Sequence, residues 1–320
     1  MDPARAALRS RVIEPPFGPP VVARAGVPHD GLDRREAAAV GRSARLELRF
    51  ERRHNRTVLA GEYAEPPFRI GRALEIDDAA YVIIVCAGPG VFPGDTLRQS
   101  VHLGPGAKAV LTSQAALQVR PGVAPAAAAI DHRYVLEDDA ELHCHWDPII
   151  PFAGSRAALS FDVRMPSSAR FYWSDALMTG RVSRGERWRF RDLAHELRVR
   201  VGGELRYLER YRLVPSDGRS VTRTWMAGDS NYLGTTVLHH GLATAETVAS
   251  IQGELDRLKR DWRDDVRAAV DLVEPQLVIA RLMATHGVPF AGARAVFRRV
   301  ALEHIFGNRH LAGRKSPFGG

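Results

Sequence analysis

From residue 44 the chain alternates between apolar and polar positions. In ARLELRF (44–50), Leu46, Leu48 and Phe50 fall on one side, with Arg45, Glu47 and Arg49 on the other. That period of two predicts a half-buried strand. YVIIVC (81–86) is a continuous β-branched run, the pattern of a strand covered on both faces. Further strands are predicted over 97–103, 108–112, 132–137, 141–146, 157–163, 169–173, 187–190, 195–201 and 205–213, most of them separated by Gly, Pro or Asp. The helical period comes late. In ETVASIQGELDRLKRDW (246–262), Val248, Ile251, Leu255, Leu258 and Trp262 step by three and four, an apolar stripe on a charged helix. LVIARLMA (277–284) reads as another strand. PFAGARAVFRRVALEHIF (289–306) opens a second helix at Pro289 and carries its own stripe of Phe290, Phe297, Val300 and Ile305. No internal repeat of fixed period is visible. The prediction is a mainly β domain over 41–310 with two amphipathic helices near its end. It is flanked by a disordered Pro/Arg-rich tail (1–40) and a flexible C-terminal tail (311–320).

Composition changes this picture little. The 320 residues carry a formal charge of +8, which by itself suggests a polyanion partner. The positive charge is almost all arginine spread along the chain, with lysine only at 108, 259 and 315. No basic cluster interleaved with aromatics stands out, so nucleic-acid binding is not expected. Cys86 and Cys144 are far apart in strand-like contexts, read as two buried thiols in a reducing cytoplasm rather than a zinc ribbon or redox pair. The N-terminal residues lack the apolar core of a secretory signal, and no run of about 18 apolar residues suggests a membrane span.

Several stretches invite a chemical reading. CAGPGVFPGD (86–95) follows a strand and holds Gly88, Gly90 and Gly94, but Pro89 and Pro93 interrupt the turn and a strand follows, so a phosphate loop is not expected. The plain alternative is a tight turn ending in Asp95. ELHCHWD (141–147) is the best metal-like cluster. Strand alternation would put Glu141, His143, His145 and Asp147 on one face, with Leu142, Cys144 and Trp146 toward the core. That donor set suits nickel, zinc or iron, as in a metal-dependent β-fold enzyme; the competing reading is a polar strand face in solvent. His239 and His240 are adjacent and would face opposite ways, poor geometry for one site. DALMTGRVSRGERWRF (175–190) reads as a solvated hairpin with Glu186 entering a strand among arginines. LTSQAALQVRPG (111–122) follows a clean strand with Thr112, Ser113 and Gln114, and offers neither nucleophile with base, nor carboxylate pair, nor metal ligand. No nucleophile elbow is present.

In order along the chain, YVIIVCAGPGVFPGD, GAKAVLTSQAALQVRPG, HWDPIIPFAGS, TGRVSRGERWRF, LVIARLMA and the closing helix resemble the segments of one family, the urease accessory protein UreD, called UreH in some organisms. The resemblance covers roughly residues 44–310. It departs from the family pattern at Pro89, at Gln118-Val119-Arg120 and at Trp146. The resemblance implies strands stacked in an elongated, superhelical arrangement with two helices near the C-terminus. It implies a cytoplasmic, non-catalytic scaffold that helps nickel reach urease, docking on the urease subunits and on a UreF-like protein, which recruits a UreG-like GTPase. No tightly bound cofactor is implied, only transient nickel. Under the resemblance, Asp95 and Glu186 are the acidic residues expected to guide metal or dock partners. Gly94, Thr112, Ser113, Gln114, Gly180, Arg181 and Gly185 are the motif positions expected at partner contacts. A patch of hydroxyl and amide groups can line a wet passage without holding a metal tightly, which suits a protein that must release its ion.

Overall fold

The computed structural model describes residues 41–215, 226–262 and 265–307. The predicted tails at 1–40 and 311–320 lie outside the described residues. The strands are β1 (Ser43–Arg53), β2 (Arg56–Ala64), β3 (Phe68–Ile70), β4 (Leu74–Ile76), β5 (Ala79–Cys86), β6 (Thr96–Leu103), β7 (Lys108–Ser113), β8 (Leu117–Val119), β9 (Ala128–Leu136), β10 (Glu141–His145) and β11 (Ile149–Pro151). They continue with β12 (Arg156–Met165), β13 (Arg170–Ser174), β14 (Leu177–Met178), β15 (Asp192–Val201), β16 (Glu204–Leu213), β17 (Tyr232–His239), β18 (Val266–Glu274) and β19 (Leu277–Ala284). The helices are α1 (Ala245–Trp262) and α2 (Gly287–His304). Two amphipathic helices therefore follow a mainly β body, as the periodicity predicts.

The strands wind as stacked coils. Each of β6-β7-β8, β9-β10-β11 and β12-β13-β14 is one coil. Its first strand joins a sheet ordered β16-β15-β12-β9-β6-β1-β2, and its others join a second sheet. Successive coils pair in parallel and in register. Thr96 lies opposite Ala129 in the first sheet and Lys108 opposite Glu141 in the second, so both sheets share one offset of 33 residues (129 less 96, 141 less 108). The next coil is offset by 29 residues in both (157 less 128, 170 less 141). The offset changes from coil to coil, which is why no fixed repeat shows in the sequence. Stacking requires matched inward faces, not matched residues.

Alternation selects those faces. Leu46, Leu48 and Phe50 of β1, Ile130 and Tyr134 of β9, and Phe161 and Val163 of β12 pack against Leu142, Cys144, Phe171 and Trp173 of the second sheet in one buried core. The second sheet is covered on its other face as well. There α1 and α2 bring Ile251, Leu255, Phe290, Phe297 and Val300 against Tyr172 and Leu238 in a second core, together with the β18-β19 hairpin, which continues the sheet beyond β17. Parallel pairing does not by itself require this: the inner strands of the first sheet are equally parallel, yet β1 and β6 alternate buried and surface positions. The second sheet is covered twice because its outward positions are apolar as well.

Three expectations need correction. RWRF (187–190) is not a strand, and 175–190 is not a hairpin. A short 3₁₀ turn at Val182–Arg184 is followed by Trp188 with a left-handed backbone (φ 55°), which breaks any extended run. Trp188 and Phe190 are nonetheless buried, and this produced the strand-like alternation. Of the two thiols, Cys144 is buried but Cys86 only half so. The strands β2, β3, β4, β8, β11, β14, β17 and β18 were not predicted; several are only two or three residues long.

Phe297 is 0% exposed in the second core. Phe297→Ala is expected to cost about 3–5 kcal/mol in urea unfolding. Removal of α2 is expected to abolish the cooperative transition, because it uncovers one face of the second sheet. A truncated chain that still unfolds cooperatively contradicts this account of the fold.

Candidate functional site

The second sheet ends its parallel strands β7, β10 and β13 side by side, with Thr112, His145 and Ser174 in one register row. Just past that row the chain turns, and polar residues from three coils converge on a partly open cavity of about 80 Å³ between the two sheets. Ser113 comes from the end of β7, Asp147 from the turn after β10 and Asp175 from the turn after β13. Gln99 and His132 reach in from β6 and β9, and Cys86 from the end of β5. Phe68, Ile84, Leu97, Leu117 and Phe161 make up the apolar wall.

The polar groups are only partly engaged with each other. The Ser113 hydroxyl donates to Asp147 Oδ2 at 3.1 Å and accepts the Asp147 amide at 2.7 Å. Asp175 accepts the Thr235 amide at 3.1 Å, and its other oxygen lies 3.2 Å from His195 Nε2. His132 Nδ1 lies 2.9 Å from the Tyr134 hydroxyl. Gln99 is 2% exposed, yet its amide nitrogen has no hydrogen-bond partner among the described residues. An unsatisfied buried amide is costly and suits a position facing a polar guest. Thr112 is set deeper, its hydroxyl donating to the His145 carbonyl at 3.0 Å, and Gln114 is exposed at the start of the next turn. Of the predicted site residues the cavity therefore gathers Ser113 and Asp147. Gln99, His132, Asp175 and Cys86 were not predicted. They come from β5 and from three successive coils, and only the register brings them together.

The predicted metal cluster does not assemble. Glu141, His143 and His145 share a face of β10 as alternation requires, and Leu142, Cys144 and Trp146 do point into the core. That polar face is not in solvent, however; it lies beneath the C-terminal half of the chain. Glu141 Oε1 accepts from His143 Nε2 at 2.8 Å, and Arg170 lies 3.1 Å from the other oxygen. The His143 ring packs edge-on to Phe306, and His145 sits near Arg294 and Arg298 of α2. Asp147 lies beyond the strand end and turns to the cavity instead. Among the described residues no group of three or more His, Cys, Asp or Glu side chains is placed to hold a metal ion. His239 and His240 diverge as expected: His239 Nδ1 lies 2.9 Å from the Ala169 carbonyl, while the His240 ring meets Phe306.

Asp95 and Glu186 lie in turns and are fully occupied there. The Asp95 carboxylate accepts the amides of Arg42 and Phe92, both at 2.8 Å, tying the start of β1 to the turn before β6. Gly94 (φ 86°) precedes it in that turn. Glu186 accepts both arms of Arg181, one at 2.8 Å, and the Ala153 amide at 3.2 Å. The Arg181 guanidinium in turn stacks 4.0 Å from the Phe152 ring. Gly180 is required here: a β-carbon would sit 2.3 Å from the Glu186 carbonyl oxygen. Gly185 takes the left-handed conformation (φ 71°) that closes the short helical turn.

Burial governs the charge state of the cavity. It drives His132 down to about 4, so the imidazole is neutral at pH 7. It raises the Cys86 thiol, with Asp95 adding to the effect. It also raises Asp147, against the opposing hydrogen bond from Ser113 and the positive charge of Arg294. A neutral imidazole, a protonated thiol, a hydroxyl, an amide and two carboxylates can each contact a cation, but none forms a closed chelate.

A family model described as UreD urease accessory protein matches residues 42–315. A urease accessory protein UreD of Sorangium cellulosum is 34% identical over 186 residues, which is 57% of this chain and 58% of that protein. Urease accessory protein UreD 2 of Streptomyces griseus is 30% identical over 295 residues, covering 85% of this chain and 91% of the relative. A UreD of Yersinia pseudotuberculosis is 30% identical over 224 residues, 67% of this chain. The chain belongs to the UreD urease accessory protein family. No helix among the described residues is long and apolar enough to cross a membrane.

Two pH predictions follow from the site. Burial lowers His132 and His240 to about 4, and lowers His145 and His239 as well, whereas the unfolded chain protonates its histidines near 6.5. Between those values the unfolded state binds more protons, so stability is full above about pH 6.5 and falls on acidification, by up to about 1.4 kcal/mol per pH unit for each such histidine. Urea unfolding at pH 7 and pH 5 measures this, and equal stabilities would contradict the burial. Arg181 holds the Glu186 carboxyl below its ordinary 4.5. Glu186→Gln is therefore expected to be less stable at pH 7, with a deficit that shrinks as pH falls through the folded value. A deficit unchanged down to pH 3 would place the effect elsewhere than in the ion pair.

Proposed function

We propose that this chain is a non-catalytic urease maturation factor that helps deliver nickel into the urease active site, docking the urease subunits to a UreF-like protein and, through it, to a UreG-like GTPase. The observation that carries the reading is the cavity between the sheets. Polar and apolar side chains alternate around it, Gln99 beside Leu97 on β6 and His132 beside Ile130 on β9, and its carboxylates, hydroxyl, amide and neutral imidazole are spread over successive coils rather than closed around a point. Such a lining favours brief contact with a hydrated divalent ion over tight retention. The ion is cargo in this reading, and the cavity serves it by letting go. Family membership supports the urease assignment, since the relatives are accessory proteins of that enzyme.

Asp95 and Glu186 serve this function by fixing the turns on which partners dock, together with the motif residues Gly94, Gly180, Arg181 and Gly185. Ser113 and Asp147 serve it at the ion itself. The buried pairing of Glu141 with His143 leaves the competing metalloenzyme reading no assembled donor set among the described residues.

The test is co-expression of the tagged chain with urease subunits and UreF- and UreG-like proteins. Urease and the UreF-like protein are expected to co-purify with it. Asp147→Asn is expected to lower nickel-dependent urease activation several-fold while those partners still co-purify. Recovery of the chain alone from such cells, with urease activated as well in its absence, overturns the proposal.

A further inference from the structure

The guanidinium of Arg294, on α2, is buried without a carboxylate to hold it. The residue is 6% exposed. Its Nη2 donates to the Trp146 carbonyl at 2.8 Å and to the Ser174 carbonyl and hydroxyl at 3.3 and 3.1 Å, and Nε donates to the same hydroxyl at 3.2 Å. No carboxylate oxygen among the described residues lies within ion-pair distance of it. A buried cation served only by neutral acceptors is costly and needs opposite charge nearby.

That charge lies one residue further along each gripped strand. Trp146 precedes Asp147 and Ser174 precedes Asp175. The two backbones are joined there by the Trp146 amide donating to the Ser174 carbonyl at 2.9 Å. Arg294 thus clasps the ends of β10 and β13 from the helical side, while the next residue of each strand carries its carboxylate to the cavity. The field of Arg294 reaches both carboxylates, and theirs reaches it.

We propose that Arg294 sets how weakly the cavity holds a divalent cation: its fixed positive charge behind the wall offsets one of the two carboxylate charges presented to the ion. The inference rests on the nickel-handling reading above and deepens it. Two carboxylates alone attract a divalent ion strongly in a site screened from water, whereas two carboxylates with a guanidinium behind them leave a single net negative charge. Arg294 is a positioning and charge-setting residue that does not touch the ion. Arg298, one helical turn on, is half-buried and donates to neither strand end in the described hydrogen bonds; its field acts on His145 and Arg294 rather than on Asp147.

The experiment is titration of the purified full-length chain with nickel(II) by calorimetry, with circular dichroism confirming the fold of each variant. Arg294→Met is expected to bind nickel about tenfold more tightly than the wild-type chain. Arg294→Lys keeps the charge and is expected to stay within about twofold of wild type. Arg298→Met is expected to change little. Should Arg294→Met not fold, the double variant Arg294→Met with Asp175→Asn removes the charge and its counter-charge together. It is expected to bind about tenfold more tightly than Asp175→Asn alone. A folded Arg294→Met or double variant without this gain, while Asp147→Asn and Asp175→Asn weaken binding, overturns the role of Arg294 and leaves the cavity reading standing. Nickel binding unchanged in both aspartate variants overturns the cavity reading and this inference with it.

Discussion

Parallel stacking of the coils is the constraint on which the rest depends. Each coil hands its backbone donors and acceptors to the next, so both sheets grow as runs of parallel strands; the second also carries apolar side chains on both faces and cannot leave either to water. One face is closed by the first sheet. The other must be closed by something later in the chain, and α1 and α2 do this, packed also on the β18-β19 hairpin that extends the sheet. The same constraint sends both faces of β10 inside. A polar face that would solvate comfortably on an isolated strand must then neutralise itself, as Glu141 does with His143 and Arg170.

This explains what the sequence disclosed and what it concealed. Alternation is a local property, and it marked the inward faces of β1, β9, β10 and β12 and the stripes of both helices correctly. Register is not local. Gln99 and His132 are 33 residues apart and Asp147 and Asp175 28, and no spacing rule relates them until coil offsets of 33 and 29 are known. ELHCHWD misled for the complementary reason. Its same-face geometry was right, but its surroundings were set by helices more than a hundred residues away. RWRF misled because two buried aromatics imitate a strand even when a left-handed Trp188 lies between Arg187 and Phe190.

The family motifs look different once placed. The glycines, Asp95 and Glu186 are conformational devices: they admit a close backbone approach, satisfy turn amides or lock an arginine against Phe152. Two of the three places where the sequence departs from the family pattern also meet in space. Arg120 donates through Nε to the Pro89 carbonyl at 2.6 Å and through Nη2 to Gln118 at 2.8 Å, while Gly90 packs against the Gln118 carbonyl. Changes at 89 and at 118–120 are therefore one local rearrangement of the β5–β6 turn against β8, not two independent losses.

A weakly binding cavity is also easier to reconcile with this fold than a tight one. Closing three or four ligands around an ion requires neighbouring donors at fixed short distances. A stack of coils instead supplies donors one strand apart, at a spacing of about 4.8 Å fixed by the backbone. Its natural product is a row of partial contacts. Asp147 and Asp175, carried past the ends of β10 and β13, form such a row, with Ser113 on the next strand. The helix that closes the outer face of the sheet then contributes the one charge the row lacks. On the proposed reading, the element needed to bury the sheet is also the element that sets the field inside the cavity, so stability and ion handling would meet in the same few residues of α2.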